Sequence, residues 1–130
     1  MKGLIVFFAA VAATIVINGN ARADDNAAGK SIFARTCANC HSTEIGVNKI
    51  GPSLWNVAGR PIASVPDFSY SEKLVNMRNE WKAWDEKLLD AYLTNPREVL
   101  HGVKMYFKGL PDPKDRADVI RYLTSLRQGE

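Results

Sequence analysis

The sequence predicts an all-α domain of about three main helices joined by long loops, and three observations carry that expectation. Apolar residues recur at helical spacing in three separated stretches. No clean period-two run marks a strand, and the stretch between the first two helices is punctuated by Gly46, Gly51-Pro52, Gly59-Arg60-Pro61 and Val65-Pro66-Asp67, which are turn signals.

The chain opens with a different texture. Met1-Lys2 is a short basic start, Leu4 to Ile17 is an unbroken run of apolar or small residues, and Ala21-Arg22-Ala23 is a small-x-small site. This reads as a secretory signal peptide over residues 1–23, cleaved after Ala23, followed by one domain over residues 24–130. A retained membrane anchor is the alternative, but the run is short of the ~20 residues that a span needs, and Asn18-Gly19-Asn20 ends it. No internal repeat, low-complexity tract or long linker divides the remainder, so 130 residues with 46% hydrophobic content read as one small globular domain.

Charge narrows the function classes. The full chain has 17 basic and 14 acidic residues; the leader holds Lys2 and Arg22 and no acid, so its removal leaves 15 and 14. A bulk nucleic-acid binder needs a clear basic excess, which this domain lacks. Export also places the two cysteines where thiols oxidise unless they are occupied.

The first helix is expected from about Asp25 to Cys40, with Ala28, Ile32, Phe33 and Thr36 on its apolar face. From Ser42 to about Arg78 the chain reads as loop, a length that is suspect in a small domain unless it wraps around something. A second helix is expected between Trp84 and Asn95, with Trp84, Leu88, Leu89, Tyr92 and Leu93 on one face and Pro96 at its end. Asp112-Pro113 reads as an N-cap with proline in the first turn. The final helix follows, lined by Ala117, Ile120, Leu123 and Leu126 with Val119 and Tyr122 beside them, and ends near Arg127.

The chemistry concentrates in Cys37-Ala38-Asn39-Cys40-His41, a C-x-x-C-H sequence that matches the attachment signature of c-type haem. Two thiols this close can each add to a haem vinyl group, and the histidine that follows can ligate the iron from below. Three other readings use the same residues. A zinc site could draw on Cys37, Cys40, His41 and His101, although adjacent Cys40 and His41 suit a closed tetrahedron poorly. A thioredoxin-like dithiol needs a βαβ setting that the sequence does not offer, and a disulfide closing so short a loop restrains little of the unfolded chain. A haem also accounts for the loops, since a large flat cofactor supplies core that a small domain cannot build alone.

With these residues in view the chain resembles the class I c-type cytochromes, the branch that includes mitochondrial cytochrome c and its bacterial relatives. The resemblance runs from Gly29 to about Leu126 and rests on the order of several stretches: GKSIFARTCANCH, GPSLWNVAGR, PDFSYS, WDEKLLDAYLTNP and GVKMYFKGL. It implies a small class I cytochrome c fold around one haem c, covalent through Cys37 and Cys40, with iron held by His41 and by Met105 of the GVKM segment. It further implies that the Pro52 carbonyl accepts from His41, that Arg60, Tyr70 and Trp84 meet a haem propionate, and that Tyr92 lies on the Met105 side. Trp81 competes with Trp84 for its role, and Met77 is the methionine expected to fill core. Gly29 and Phe33 resemble the residues at which the first helix crosses the last.

Some positions depart from the family pattern. Leu74 and Val103 stand where an asparagine and a threonine commonly hydrogen-bond near a propionate, and His101 replaces a usual proline. His101 is read as solvent-facing, with replacement of Met105 by His101 as the alternative ligation.

The function implied is a periplasmic one-electron carrier rather than an enzyme, since two axial side chains leave iron no open site. The alternative is a haem peroxidase or gas sensor with a labile Met105. Implied partners are membrane or periplasmic redox proteins that dock briefly at the haem edge; the expected molecule is a monomer, with no nucleic acid and no stable membrane insertion once the leader is removed. Lys30, Arg35, Arg97, Lys104 and Lys108 are candidates for a basic rim, which Glu98 beside Arg97 dilutes, so a shallow salt dependence is expected.

Overall fold

The computed structural model describes residues 26–127, and the predicted leader lies outside them. Five helices occur in that span: α1 Ala27–Thr36, α2 Glu72–Asn76, α3 Glu86–Thr94, α4 Pro96–Val99 and α5 Pro113–Ser125. A single 3-10 turn, Met77–Asn79, continues α2. No strand forms among the described residues; the nearest feature is an isolated bridge between Pro61 and Ala83.

Local chemistry sets most of the boundaries. Asp85 accepts from the Leu88 N–H at 2.8 Å to start α3, and Asp112 accepts from the Lys114 N–H at 2.7 Å to start α5, each satisfying an orphan donor of the first turn. Asn95 ends α3 and, through Oδ1 to the Arg97 N–H at 3.3 Å, begins α4 with the buried Pro96 at its first position. Pro96 therefore opens a further helix as well as closing α3. Trp84 stands just ahead of α3, not inside it.

α1 is shorter than its periodicity suggests. It stops at Thr36, and the cysteine motif sits on the turns that follow, with the Ala38 N–H bonded to the Phe33 carbonyl at 3.0 Å and the Cys40 N–H to the Cys37 carbonyl at 3.1 Å. Its buried face is Gly29, Ile32 and Phe33, while Ala28 and Thr36 are exposed. The reason is the crossing with α5. A β-carbon on Gly29 would lie 2.1 Å from the Asp118 carbonyl oxygen and 2.7 Å from Tyr122 Cβ, so the two backbones meet where the side chain is missing. Phe33 then packs on Tyr122 with ring centroids 5.7 Å apart. On α5 the buried apolar residues are Val119, Ile120 and Leu123, and Ala117 is exposed.

Loops contribute heavily to the core. Val57, Ala58, Ile62 and Ala63 come from irregular backbone, and Ile62 is as deeply buried as Leu88 of α3 and Val119 of α5. Ala63 has φ of +50°, a conformation unfavourable for a residue with a β-carbon. Arg78 clamps it, its guanidinium donating to the carbonyls of Ile62, at 2.7 Å, and Ala63. Residues 59–62 are laced to 82–84 by Gly59 N–H to the Trp84 carbonyl, Trp84 N–H to the Arg60 carbonyl and Ile62 N–H to the Lys82 carbonyl, at 2.8, 2.9 and 3.3 Å. Arg116 ties α5 to α3 through Asp90 at 2.8 Å and to the Leu110 carbonyl at 2.8 Å. Met77 is buried in this core, as its reading as filler expects.

The crossing at Gly29 yields a prediction in which two effects oppose each other. Alanine improves helix propensity by about 1 kcal/mol, whereas the clash is with backbone that cannot swing away and overpacking of this kind costs about 1–3 kcal/mol. Gly29→Ala is expected to lower the denaturation midpoint of the holoprotein in guanidinium titrations; a higher midpoint would place the crossing elsewhere.

Candidate cofactor site

The site is assembled where α1 gives way to turns. Cys37 is the C-cap residue and Cys40 follows one turn on; both thiols are free and half-buried. Burial pushes the Cys37 thiol above its ordinary range; the Thr36 hydroxyl, 3.3 Å from its sulfur, opposes that shift, and the neighbouring Cys40 adds slightly to it.

His41 is held by its own downstream loop. Its Nδ1 lies 2.7 Å from the Pro52 carbonyl oxygen. A carbonyl only accepts, so Nδ1 carries the proton and Nε2 keeps the lone pair. Burial lowers the His41 pKa; the Pro52 bond raises it, and the positive charges of Arg60 and Lys49 lower it further. The imidazole is thus neutral at neutral pH, the form that ligates a metal. Gly51 lies flat against this ring, and a β-carbon there would be 2.3 Å from Cε1 and 2.7 Å from Nδ1. The Gly51 N–H in turn donates to the Cys40 carbonyl at 2.8 Å, and the Leu54 N–H to the Ser42 carbonyl at 2.9 Å, so the supporting loop is fastened on both sides of His41.

The remaining candidates form a linked group. Arg60 is joined by its backbone to Trp84, and its Nη1 donates to the Trp55 carbonyl at 2.5 Å. Trp84 is buried edge-on against Tyr92, ring centroids 4.9 Å apart. The Tyr70 hydroxyl accepts from the Val65 N–H at 3.2 Å, with Phe68 edge-on to its ring at 4.9 Å. Burial lowers the Arg60 pKa and the nearby Tyr70 raises it. Burial alone pushes the Tyr92 phenol up to about 12. Trp81 is half-buried against the core and less enclosed than Trp84. Leu74 and Val103 also pack on the core, so these two departures supply apolar surface.

Met105 sits in the segment between α4 and α5. Burial alternates strictly there: Val103, Met105 and Phe107 are half-buried, while Lys104, Tyr106 and Lys108 are exposed. Val103 and Phe107 pack on the core, a set to which Met105 does not belong. His101 is exposed on the preceding turn.

Two observations test whether these residues fit a haem. The Arg60 Nε is buried without a hydrogen-bond partner, and Arg60 makes no ion pair among the described residues, so an anionic group such as a propionate answers a donor that the chain leaves unmet. The donor set of two free, half-buried thiols and a neutral imidazole with Nε2 unprotonated also suits thioether attachment plus ligation of the iron. The rival zinc set is not brought together: no cluster of three or more His, Cys, Asp or Glu residues able to hold a metal exists among the described residues. Nor does a βαβ unit flank the dithiol.

Gly51 as the cradle of His41 escaped the sequence reading, in which Pro52 was named as the acceptor but Gly51 registered only as part of a turn. A glycine immediately before the proline that receives the histidine bond was the available signal.

Fold and site together define a small helical domain built to hold a cofactor tethered at a C-x-x-C-H turn. The model of the family described as cytochrome c matches residues 26–127, and the chain belongs to that family. It is 37% identical over 99 residues to a cytochrome c of Euglena viridis, covering 76% of this chain and 94% of that one. It is 38% identical over 109 residues to a cytochrome c2 of Rhodopila globiformis, covering 84% of this chain and all of that one. With a cytochrome c-type cyt cy of Rhodobacter capsulatus the identity is 43% over 102 residues, 78% of this chain but 49% of the relative. The cofactor is therefore haem c, bound through Cys37 and Cys40, and the protein carries electrons instead of catalysing a reaction.

Two outcomes test the site. Gly51→Ala is expected to drive the imidazole off its bond to Pro52, visible as loss of the slowly exchanging Nδ1 proton in NMR spectra of the holoprotein; an unchanged signal would mean that the ring has slack. For Tyr92, the unfolded chain releases the phenolic proton near pH ~10 while the folded chain holds it to about 12. The folded state binds more protons in that window, so stability falls as pH rises from ~10 toward 12. Tyr92→Phe is expected to flatten this alkaline fall in chemical denaturation, and an identical fall in the variant would assign it to another group.

Proposed function

We propose that the protein is a soluble, exported one-electron carrier whose iron is held by His41 and Met105, moving electrons between redox proteins in the periplasm. The observation that carries this reading is the 2.7 Å bond from His41 Nδ1 to Pro52, which leaves Nε2 as the only ring nitrogen able to reach a metal.

When bound, haem c supplies the ferric–ferrous couple. Pro52 and Gly51 fix the orientation and tautomer of His41, so its donor strength is set by the fold. Met105, half-buried in the alternating segment, is the second residue that would hold the iron; a thioether ligand would favour the reduced state and raise the potential. Arg60, with its unpartnered Nε–H and positive charge, would hold a propionate together with Tyr70 and Trp84 as further donors, and Tyr92, packed on Trp84, would line the haem on the Met105 side. Export through residues 1–23 fits a leader of that pattern, and no helix among the described residues is long and apolar enough to cross a membrane. Redox partners are met in brief encounters, in keeping with small transient interfaces.

Replacing the second ligand tests this most directly. Met105→Ala is expected to abolish the methionine-to-iron charge-transfer band of the oxidised protein, lower the potential and let the reduced form bind carbon monoxide, while Met77→Leu leaves all three unchanged. Carbon monoxide binding by the unsubstituted reduced protein would instead favour a sensor or peroxidase with an open site.

A further inference from the structure

The loop that supports His41 also presents large apolar side chains to solvent. Ile45 is 66% exposed, Val47 41% and Ile50 81%, all between Ser42 and Gly51. Single exposed hydrophobics are ordinary on a protein surface. Three on one short loop call for a reason.

The loop is preorganised. Val47 N–H donates to the Glu44 carbonyl at 3.3 Å, Lys49 N–H to the Gly51 carbonyl at 2.9 Å and Ser53 N–H to Asn48 Oδ1 at 2.9 Å. The Ser53 hydroxyl donates to the Glu44 carbonyl at 2.6 Å and the Ser42 hydroxyl to the Val47 carbonyl. These polar groups find partners inside the loop while Ile45, Val47 and Ile50 do not turn in with them. A surface already fixed in shape loses little entropy when a partner covers it.

Charge indicates what kind of partner fits. Between residues 42 and 51 the charged residues are Glu44 and Lys49, one of each sign, and Lys49 is drawn back onto the attachment turn by its 2.7 Å bond to the Ala38 carbonyl. The loop thus carries no net charge beside its three exposed apolar side chains. It is also continuous with the site, since Gly51 N–H holds Cys40 and Pro52 holds His41.

The geometry points to the Ile45, Val47 and Ile50 tip as the docking contact for a redox partner that presents an uncharged apolar patch, binding by desolvation in place of ion pairing. This rests on the carrier reading above. A partner seated there lies beside the tethered cofactor, and a contact made by three side chains is small enough for rapid release.

The test uses the holoprotein, with membranes of its source organism as the electron acceptor. Oxidation of the reduced protein is followed against its concentration and against salt between about 0.02 and 0.2 M. The unsubstituted protein is expected to lose less than about twofold in rate over that range, since desolvation is little screened. The variant Ile45→Ser/Val47→Ser/Ile50→Ser is expected to raise KM at least about fivefold at unchanged kcat. Val75→Ser removes an exposed apolar side chain on α2 and is the control for KM. An unchanged KM in the triple variant, or a steep fall with salt in the unsubstituted protein, overturns the proposal. So does a dimer by sedimentation that the same substitutions abolish, which would assign the tip to a second copy of the chain. Retention of the charge-transfer band and of oxidation by ferricyanide in the triple variant separates loss of docking from loss of the carrier; their absence in the unsubstituted protein counts against the carrier reading itself.

Discussion

A neutral imidazole has one lone pair, and the hydrogen bond it makes decides which nitrogen keeps it. In this chain the carbonyl of Pro52 takes that decision for His41. Much of the first half of the molecule follows from the need to bring that carbonyl to that ring. Gly51 has no side chain because the ring occupies its place, and its amide is used to hold Cys40. Ser42, Asn48 and Ser53 satisfy the polar backbone of the loop, so the bond to Pro52 is made by a shaped segment instead of a chance approach.

The middle of the chain answers a different constraint, the limited apolar surface of a small chain. Irregular backbone enters the core at Val57, Ala58, Ile62 and Ala63, and each entry exposes the chain to unmet backbone groups or awkward torsions. Arg78 meets this need at Ile62 and Ala63 by donating to their carbonyls, and the 59–62 to 82–84 lacing meets it at Arg60 and Trp84. Arg60 is where the chain's own resources end: its Nε is enclosed without a partner, a donor that an anionic group would satisfy.

The elements that could be read in advance are those with strong local chemistry. Asp85 and Asp112 cap their helices through ordinary side-chain bonds, and Leu88, Leu89, Val119, Ile120 and Leu123 show the helical period plainly. The C-x-x-C-H turn and the Pro52 acceptor were also legible. Errors arose where geometry is set by a partner element. Ala28 and Ala117 count as apolar in a periodicity argument, but a crossing that pivots on Gly29 narrows the buried stripe and leaves both outside. α2 is too short to show a period, although Ser71 caps it through the Leu74 N–H. The outward set of Ile45, Val47 and Ile50 had no signature at all, because composition does not say which way a loop turns its side chains.

Asn95 serves two helices at once, closing α3 and capping α4, with Pro96 wedged behind it in the interior. An α-helix advances about 100° per residue. One residue inserted at this joint would therefore swing α4 and the chain leading to Met105 by more than a quarter turn, whereas the irregular stretch from Ser42 to Ser71 contains no helix whose phase an insertion could upset. Helical phase therefore limits length at this joint, whereas in the irregular stretch the limit is set by the individual hydrogen bonds that an insertion would break.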